Sequence, residues 1–346
     1  CKCVENIWLF MEFRGRKKDF RGKALNILGE RREYLPERKL FMKIADAHSD
    51  TLYAIALEGV APAQAMASPE NLKKGGVSLQ TFALFTGRKG PAGTPYQDAL
   101  KMIEASKSLP VPMLTGDLPD ALPDAPTGIF SIEGGEALEG KLERLEEFDR
   151  LCRVRMIALT WNHENEIGHP AKFGPEGGLK PFGLKLLAEM DQLGIYADAS
   201  HLNEAGFWDI VEHMTLPPIA SHSCCRELCD TPRNLYKAQA ESIIQKNGFI
   251  GVNFYPHFLT KAEKATVEDV VRHIDRFCEL GGEHIVGFGS DFDGIEVQPE
   301  GLACAADFPN LIEALLKHGY TDAQVRGFAG ENLFSALKRA ERARRV

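Results

Sequence analysis

A histidine and an aspartate stand two residues apart near the end of an apolar run, in the stretch KIADAHSDTLYAI. Side chains alternate across a β-strand, so His48 and Asp50 are expected to point to the same face. An imidazole nitrogen and a carboxylate oxygen on one face of a strand end can hold a divalent cation. The same pair also occurs where a strand simply meets solvent. This spacing alone therefore leaves a metal site and a solvated strand end as alternatives.

Four further apolar runs end in residues of the same two types. Glu133 lies in FSIEGGEAL, His201 in DASHL and His222 in IASHS. Asp291 and Asp293 lie in GFGSDFDG. Each alone has a simpler explanation, such as a histidine at the rim of a core, a carboxylate that caps a helix, or an aspartate–glycine turn. Together, however, so many charges at one place are unfavourable unless a cation neutralises them.

The mixture of imidazole and carboxylate groups indicates which metal would bind. Nitrogen and oxygen ligands together suit zinc, with manganese, iron or cobalt as alternatives. Five protein ligands exceed the number that one zinc ion usually takes. A pair of ions that shares one carboxylate therefore fits better, and such pairs, about 3.5–4 Å apart, activate a bridging water for hydrolysis.

The elements that must bring these residues together repeat along the chain. From residue 44 onwards, a short apolar run that ends in polar residues alternates with a segment of helical periodicity. The runs are too apolar for strands with one solvated face, which indicates a parallel sheet covered by helices. In a closed (β/α)8 barrel of the TIM type, all strands end at one C-terminal mouth, which favours this α/β fold over a doubly wound open sheet. The predicted strands lie in KIADAHSD, SLQTFALF, TGIFSIEGGE, VRMIALTWN, GIYADASH, PPIASHSC, GFIGVNFY and HIVGFGSDFDG.

The composition argues against several classes of function. The 346 residues are 44% hydrophobic and 26% charged, which is typical of globular proteins. No apolar run reaches the length of a membrane span, so we expect no membrane partner. A formal net charge of −8 argues against nonspecific binding of nucleic acid. The eight cysteines have no regular spacing, and we interpret them as reduced thiols of a cytoplasmic protein.

Five other histidines divide into two groups. His213, His273 and His318 fall within helical patterns, and we expect their side chains to be exposed. His169 and His257 follow the fourth and seventh predicted strands. Because the loops after the strands of a barrel surround its mouth, these two histidines are candidates for the lining of the pocket.

Segments spread along the whole barrel region form one recognisable set: DAHSDTL, SIEGGEAL, ALTWNHENEIG, DASHL, IASHS, TPRNL, GVNFY and GFGSDFDGIEVQPEGL. This set resembles the membrane dipeptidase family, also called renal dipeptidase or peptidase family M19. The family lies within the metal-dependent amidohydrolase superfamily, whose first strand usually carries His-x-His. The pair His48 and Asp50 is similar to the dipeptidase branch instead. The resemblance runs from about Ile44 to about Ala340.

The resemblance implies a set of metal ligands that agrees with the strand-end residues. His48 and Asp50 match the ligands of a first zinc ion, and His201 and His222 match those of a second. Glu133 matches the carboxylate that bridges both ions, and we count it among the catalytic residues as well. The implied cofactor is two Zn²⁺ ions per chain, with other divalent ions as alternatives.

The resemblance also implies residues that act on the substrate. Asp291 matches the acid/base residue near the bridging water. Arg233, in TPRNL, matches the arginine that binds the free carboxylate of the substrate, and its planar guanidinium suits that contact. Tyr255, at the end of GVNFY, is included among the substrate-binding residues.

The chain departs from the family after the fourth strand. Several family members place a histidine directly after the Leu-Thr pair of this strand, where it polarises the carbonyl of the bond to be cleaved. Trp161 stands at that position here, followed by Asn162 and His163. We predict that His163 takes over the catalytic role, with a hydrogen bond from Asn162 as the alternative. Trp161 and Asn162 are both predicted to line the substrate pocket.

These residues together predict a zinc-dependent dipeptidase. We expect it to hydrolyse L,L-dipeptides through a water or hydroxide that bridges two metal ions, and the resemblance extends the prediction to L,D-dipeptides. The alternative is a related binuclear amidohydrolase that acts on another amide or on an ester. The expected partner is a small dipeptide, with neither nucleic acid nor membrane, in a bacterial cytoplasm. The resemblance also makes a homodimer an option.

The first 41 residues differ from the rest of the chain. Up to residue 43, twelve lysines and arginines stand against six acidic residues, without apolar periodicity. The segment lacks the apolar core of a signal peptide and, unlike a transit peptide, it contains acidic residues. We expect residues 1–41 to be a basic extension outside the domain, and residues 42–346 to form the barrel.

A chain that starts at Met42 is therefore expected to fold and to keep its activity, because every predicted strand lies beyond that residue. Circular dichroism, thermal melting and dipeptide hydrolysis, compared between the truncated and the full chain, check this prediction. A truncated chain that fails to fold or loses its activity would contradict the predicted domain boundary.

Overall fold

The closed parallel barrel predicted from the sequence is present in the computed structural model, which describes residues 42–87 and 93–345. Within these residues, eight strands pair in sequential order and the last closes on the first. The alternative of a doubly wound open sheet is therefore wrong. The predicted extension, residues 1–41, lies outside the described residues. The strands are β1 (Ile44–Asp46), β2 (Val77–Phe85), β3 (Thr127–Glu133), β4 (Met156–Ala158), β5 (Tyr196–Asp198), β6 (Ile219–Ala220), β7 (Phe249–Val252) and β8 (Val286–Phe288).

Helices follow the strands along the chain, and no helix in the described ranges is both long and apolar enough to cross a membrane. Several short turns of 3₁₀ or π helix lie between them, including the 3₁₀ turn Gly135–Leu138 directly after β3. The α-helices of the described residues are α1 (Thr51–Leu57), α2 (Pro69–Gly75), α3 (Pro95–Ser106), α4 (Leu142–Cys152), α5 (Pro181–Leu193), α6 (Glu204–His213), α7 (Lys237–Gln245), α8 (Pro256–Leu259), α9 (Val267–Glu279), α10 (Phe308–His318), α11 (Asp322–Arg326) and α12 (Asn332–Ala343).

The strands are buried along their whole length, which is why the sequence runs are apolar throughout. β2 and β3 are the longest and pair in register from Leu79 with Thr127 to Phe85 with Glu133. The other strands have only two to four residues. Most of the polar side chains predicted at strand ends therefore lie on the loops just beyond the sheet, whereas Glu133 is itself the last residue of β3.

The first strand ends earlier than the sequence indicates. β1 stops at Asp46, so His48 and Asp50 lie beyond the strand and not within it. The backbone nevertheless continues alongside the segment after β8, because the Asp50 amide donates a hydrogen bond to the carbonyl of Phe292 at 2.9 Å. This contact keeps the segment with His48 and Asp50 at the C-terminal mouth of the barrel.

Helix α9 shows how the amphipathic helices attach to the barrel. Val270, Ile274 and Phe277 are buried on its inner face, as their three- and four-residue spacing predicts. Each such side chain contributes about 1.5–3 kcal/mol through the removal of apolar surface from water. At the start of the helix, the Asp269 carboxylate accepts a hydrogen bond from the backbone amide of Thr266 at 2.7 Å, which satisfies a donor at the helix terminus.

His273, on the same helix, is buried, so the expectation that it is exposed was wrong. Its Nδ1 accepts a hydrogen bond from the Cys225 amide at 3.0 Å, and its Nε2 donates to the Leu259 carbonyl at 2.9 Å. Residue 273 lies on the inner face of the helix, and a histidine is tolerated there because both ring nitrogens have partners. His213 and His318 are exposed, as predicted.

The buried His273 predicts a loss of stability in acid. Burial lowers its pKa from 6.5 to about 4, because the charged imidazole loses its hydration. The unfolded chain therefore takes up this proton at a higher pH than the folded chain does. Above the pKa of the histidine in the unfolded chain, neutral His273 makes its full contribution to stability. As the pH falls towards the pKa in the folded chain, this contribution is lost, and the free energy of unfolding drops by about 3 kcal/mol in total.

Urea unfolding at about pH 7.5 and about pH 4.5 checks this prediction. The wild type is expected to lose more stability over this interval than His273→Gln, because glutamine does not titrate. His213→Gln, at an exposed position on α6, is the matched control and should behave like the wild type. Equal losses in the wild type and His273→Gln would contradict the prediction.

Candidate metal centre and active site

The metal ligands predicted from four strand ends lie in one buried cluster. Glu133 is at its centre, with Oε2 3.3 Å from His48 Nε2 and Oε1 2.9 Å from His201 Nε2. His222 Nε2 lies 3.6 Å from the same Oε1 of Glu133. On the other side, Asp50 Oδ1 lies 3.8 Å from His48 Nε2. The two oxygens of one carboxylate therefore face two different pairs of side chains.

Three atoms of this cluster are buried without a hydrogen-bond partner: Nε2 of His48, Oδ1 of Asp50 and Oε2 of Glu133. A buried polar atom without a partner costs free energy, and a buried charge costs more. The ligand atoms of His48, Asp50 and Glu133 lie within 4.8 Å of one another, and so do those of Glu133, His201 and His222. A divalent cation would pair with these atoms, so the residues present fit a metal centre.

Two of the imidazoles form hydrogen bonds through Nδ1, and these bonds determine which ring nitrogen carries the lone pair. His201 Nδ1 lies 3.2 Å from Asn162 Oδ1, and His222 Nδ1 lies 2.7 Å from Ser221 Oγ. The Ser221 hydroxyl donates its proton to the Asp198 carboxylate, so it can only accept from His222. Both rings therefore carry the proton on Nδ1 and direct Nε2 into the cluster. The two Nε2 atoms are 3.1 Å apart, where their lone pairs repel each other unless a cation lies between them.

Burial and the crowding of charges shift the pKa values within the cluster. Burial raises the pKa of Asp50 and of Asp291, and the nearby Glu133 carboxylate adds to both shifts. Burial lowers the pKa of His48, but the three surrounding carboxylates outweigh it and raise that pKa to about 10. Burial lowers the pKa of His201 to about 4, which keeps this imidazole neutral. The three carboxylates thus share one proton-bound imidazole, and a bound cation in place of the His48 proton would balance their charge.

Asp291 lies beside this cluster, beyond the end of β8. Its Oδ1 is 3.7 Å from His48 Nε2, and its Oδ2 accepts a hydrogen bond from Asn253 Nδ2 at 2.9 Å. The backbone of Asp291 is left-handed, with φ 64°, a conformation that aspartate tolerates better than most residues. The loop after β8 thus turns sharply and brings the carboxylate to the metal ligands.

Asp293 follows two residues later but binds the backbone of another loop. Its Oδ1 accepts a hydrogen bond from the Met66 amide at 2.7 Å. Its Oδ2 accepts one from the Thr51 hydroxyl at 2.6 Å and one from the Ala67 amide at 3.2 Å. The sequence places both aspartates with the metal ligands, but only Asp291 reaches them.

A cavity of about 260 Å³ lies beside the cluster at the mouth of the barrel. Its wall includes the four residues predicted to bind substrate, namely Arg233, Trp161, Asn162 and Tyr255. Arg233 has buried Nε and Nη2 atoms without a hydrogen-bond partner. A guanidinium with two adjacent unpaired donors is suited to bind a carboxylate. The wall also contains Asp50, Tyr53, Glu58, Phe85, Glu133, His201, Phe258, Asp291, Asp293, Gly294, Ile295 and Glu296.

The wall of this cavity, as the described residues form it, does not include His163. The side chain of His163 is exposed, and its ring centre lies 5.6 Å from that of Trp161. Trp161 packs edge-on against Phe85, with ring centres 5.1 Å apart. His169 and His257, two further candidates for the lining, do not belong to this wall either.

Three supporting residues escaped the sequence analysis: Asp198, Ser221 and Asn253. Asp198 and Ser221 lie close to predicted metal ligands, in the segments DASHL and IASHS. Asn253 lies two residues before Tyr255, in GVNFY. Serine, aspartate and asparagine are also the common residues of turns, so their types carry no signal of this role. These residues reach hydrogen-bonding distance of their partners only because the barrel places neighbouring strand ends side by side.

Comparison with known proteins places the chain in a family. It matches the membrane dipeptidase family, peptidase family M19, over residues 39–346. It is also 29% identical over 297 residues to an uncharacterised dipeptidase of Schizosaccharomyces pombe, an alignment that covers 78% of this chain and 71% of that relative.

Two solved structures are similar over most of the chain, each with a TM-score of 0.74. One is a dipeptidase and metallopeptidase of family M19, 28% identical, with 87% of this chain and 99% of that chain covered. The other is a metallopeptidase from Rhodobacter sphaeroides bound to a phosphinate mimic of L-Ala-D-Ala, 26% identical, with 86% and 99% covered. With the barrel and the cluster of metal ligands, these matches show that the chain belongs to the membrane dipeptidase family, peptidase family M19, and is a metallo-dipeptidase.

Proposed function

We propose that this metallo-dipeptidase is a zinc enzyme with two Zn²⁺ ions per chain. The observation that carries the proposal is the Glu133 carboxylate, whose two oxygens face two separate pairs of side chains. His48 and Asp50 would hold one ion, His201 and His222 the other, and Glu133 both. The bound ions would supply Lewis acidity and would lower the pKa of a water molecule towards neutrality.

Asp291 moves the proton of the hydrolytic water in the proposed reaction. As the oxygen of the attacking water bonds to the carbonyl carbon, the Asp291 carboxylate takes up its proton. Asp291 then gives this proton to the nitrogen of the leaving amine as the C–N bond breaks. The Asn253 amide supports this role because it holds one carboxylate oxygen at 2.9 Å and leaves the other directed towards the metal ligands.

Arg233 binds the C-terminal carboxylate of the substrate and thereby limits the length of the peptide. Its unpaired Nε and Nη2 donors suit a bond to both oxygens of a carboxylate. The cavity of about 260 Å³ is smaller than the usual range of ligand pockets, about 300–1,000 Å³. Trp161 and Tyr255 supply aromatic wall beside it. A longer peptide would have to move its terminal carboxylate away from Arg233.

We extend the proposal to dipeptides whose second residue has the D configuration. The metallopeptidase from Rhodobacter sphaeroides, 26% identical to this chain, was solved with a phosphinate mimic of L-Ala-D-Ala. A guanidinium that binds the terminal carboxylate recognises the end of the substrate and does not require one configuration at the residue that carries it. Both L,L- and L,D-dipeptides therefore belong in the first substrate panel.

We also propose that the enzyme works in the cytoplasm. The six cysteines among the described residues are all free thiols, which agrees with a reducing compartment. The homodimer that the family resemblance implies stays a prediction, which light scattering checks.

Removal of metal is expected to abolish hydrolysis of L-Ala-L-Ala and L-Ala-D-Ala, because the proposed attack needs an activated water. The protein would be treated with a chelator, analysed for metal, and titrated with Zn²⁺ while amino-acid release is measured. Activity should return at about two ions per chain. Metal-loaded protein without any dipeptide turnover would contradict the substrate class, and full activity at one ion per chain would contradict the binuclear centre.

Replacement of Arg233 by methionine is expected to raise KM for dipeptides about 100-fold, since hydrogen bonds to a charged group contribute about 1.5–3 kcal/mol. A dipeptide amide, which lacks the carboxylate, should be a poor substrate and should respond little to Arg233→Met. Arg226→Met removes an arginine whose ion pair with Asp230 lies at the surface, and it is the control. An unchanged KM for Arg233→Met would exclude the proposed carboxylate contact.

A further inference from the structure

Asn162 touches the metal-ligand cluster and the substrate cavity at the same time. We propose that its two amide atoms serve two functions. Oδ1 fixes the tautomer of His201, and Nδ2 donates a hydrogen bond to the carbonyl oxygen of the peptide bond that is cleaved. This inference rests on the proposed dipeptidase function, and it makes Asn162 the catalytic residue that stabilises the developing negative charge.

The tautomer of His201 follows from its position. Its Nε2 lies 2.9 Å from Glu133 Oε1 and 3.1 Å from His222 Nε2, inside the group of atoms that fits a metal ion. A neutral imidazole that binds a metal through Nε2 must carry its proton on Nδ1. His201 Nδ1 is therefore a hydrogen-bond donor.

The orientation of the Asn162 amide follows in turn. The neighbour of His201 Nδ1 at 3.2 Å is Asn162 Oδ1. An Nδ1–H group requires an acceptor, and the amide nitrogen has only donors, so the oxygen must face His201. The metal-binding tautomer thus excludes the flipped amide, and Nδ2 must point in the other direction.

The amide nitrogen of Asn162 is available to a substrate. Asn162 is partly exposed and lies in the wall of the cavity that also contains Arg233 and Asp291. Within the described part of the chain, Nδ2 has no hydrogen-bond acceptor. A substrate carboxylate on Arg233 and a proton acceptor at Asp291 place the scissile bond between them, in the cavity that Asn162 borders.

Other donors at the cavity are less suited to this function. His163, the side chain favoured by the sequence, is exposed and does not belong to the wall formed by the described residues. Arg233 is assigned to the terminal carboxylate of the substrate. Asn162 combines a free donor with a fixed orientation, and preorganised donors of this kind stabilise a transition state best.

The function of Nδ2 is tied to one bond change in the reaction. When the water oxygen bonds to the carbonyl carbon, the electron pair of the C=O π bond moves to the carbonyl oxygen, which becomes negative. The proton lost by the water goes to Asp291 and later to the leaving nitrogen. The hydrogen bond from Nδ2 strengthens as the charge grows, and removal of one such donor typically lowers kcat about 100- to 1,000-fold.

Two substitutions separate the two functions of the amide. Asn162→Asp keeps an oxygen that accepts from His201 Nδ1 but removes the donor. Asn162→Ala removes both. Competition with a chelator would give the Zn²⁺ affinity of each protein, and kcat and KM for L-Ala-L-Ala would be measured at saturating Zn²⁺. Glu166→Gln, an exposed residue of the same loop, is the matched control.

Asn162→Asp is expected to bind Zn²⁺ at least as tightly as the wild type, while its kcat falls about 100-fold with a smaller change in KM. Asn162→Ala is expected to lose kcat and also to bind Zn²⁺ about 10- to 100-fold more weakly, as happens when a partner behind a metal-binding histidine is removed. The control Glu166→Gln should match the wild type in both measurements.

An unchanged kcat in Asn162→Asp would overturn the donor function, and so would a loss of kcat in His163→Ala with none in Asn162→Asp. Unchanged Zn²⁺ affinity in Asn162→Ala would overturn the tautomer function. A wild type that binds Zn²⁺ but cleaves no dipeptide would overturn the proposed function and the donor function with it. In that case the Zn²⁺ affinities of the Asn162 variants still test whether Asn162 fixes the tautomer of His201. Failure of the dipeptidase function is therefore distinguishable from failure of this inference.

Discussion

The carboxylate of Glu133 lies among three imidazoles, 3.3 Å from His48 and 2.9 Å from His201. Two further carboxylates, Asp50 and Asp291, are buried beside it. Such a concentration of acidic groups in a buried place is unfavourable without a positive charge to balance it. The same requirement explains the unpartnered atoms of the cluster, whereas burial keeps His201 neutral. Hydrogen bonds from neighbouring residues hold these groups in place.

The barrel supplies the positions, and hydrogen bonds behind the ligands supply the orientations. The predicted ligands lie at or just beyond the ends of β1, β3, β5 and β6, which the closed sheet brings to one mouth. Behind them, Asp198 acts on His222 through Ser221, and Asn253 holds Asp291. A ligand that is fixed in this way loses little rotamer freedom when it binds a metal, and its lone pair already points inward.

Trp161 forms part of the wall of the cavity beside the cluster. Its ring packs against Phe85, and the family resemblance implies a histidine at this position. In the proposed reaction, the polarisation of the carbonyl falls to the neighbouring Asn162. Asn162 is adjacent in sequence and already bound to His201, so one residue can connect the metal ligands to the substrate.

The sequence by itself indicated the barrel: eight runs that are apolar throughout favour a parallel sheet covered by helices, and the polar residues at the ends of many runs favour one shared mouth. It also indicated the types of the predicted ligands, since His48, Glu133 and His201 each lie at or beyond the end of such a run. Only the tertiary structure decided which polar side chains face inward: Asp293 binds the backbone near Met66, and His273 is buried between Cys225 and Leu259. These outcomes depend on side-chain directions and on contacts between strand ends far apart in the chain, and neither composition nor periodicity specifies them.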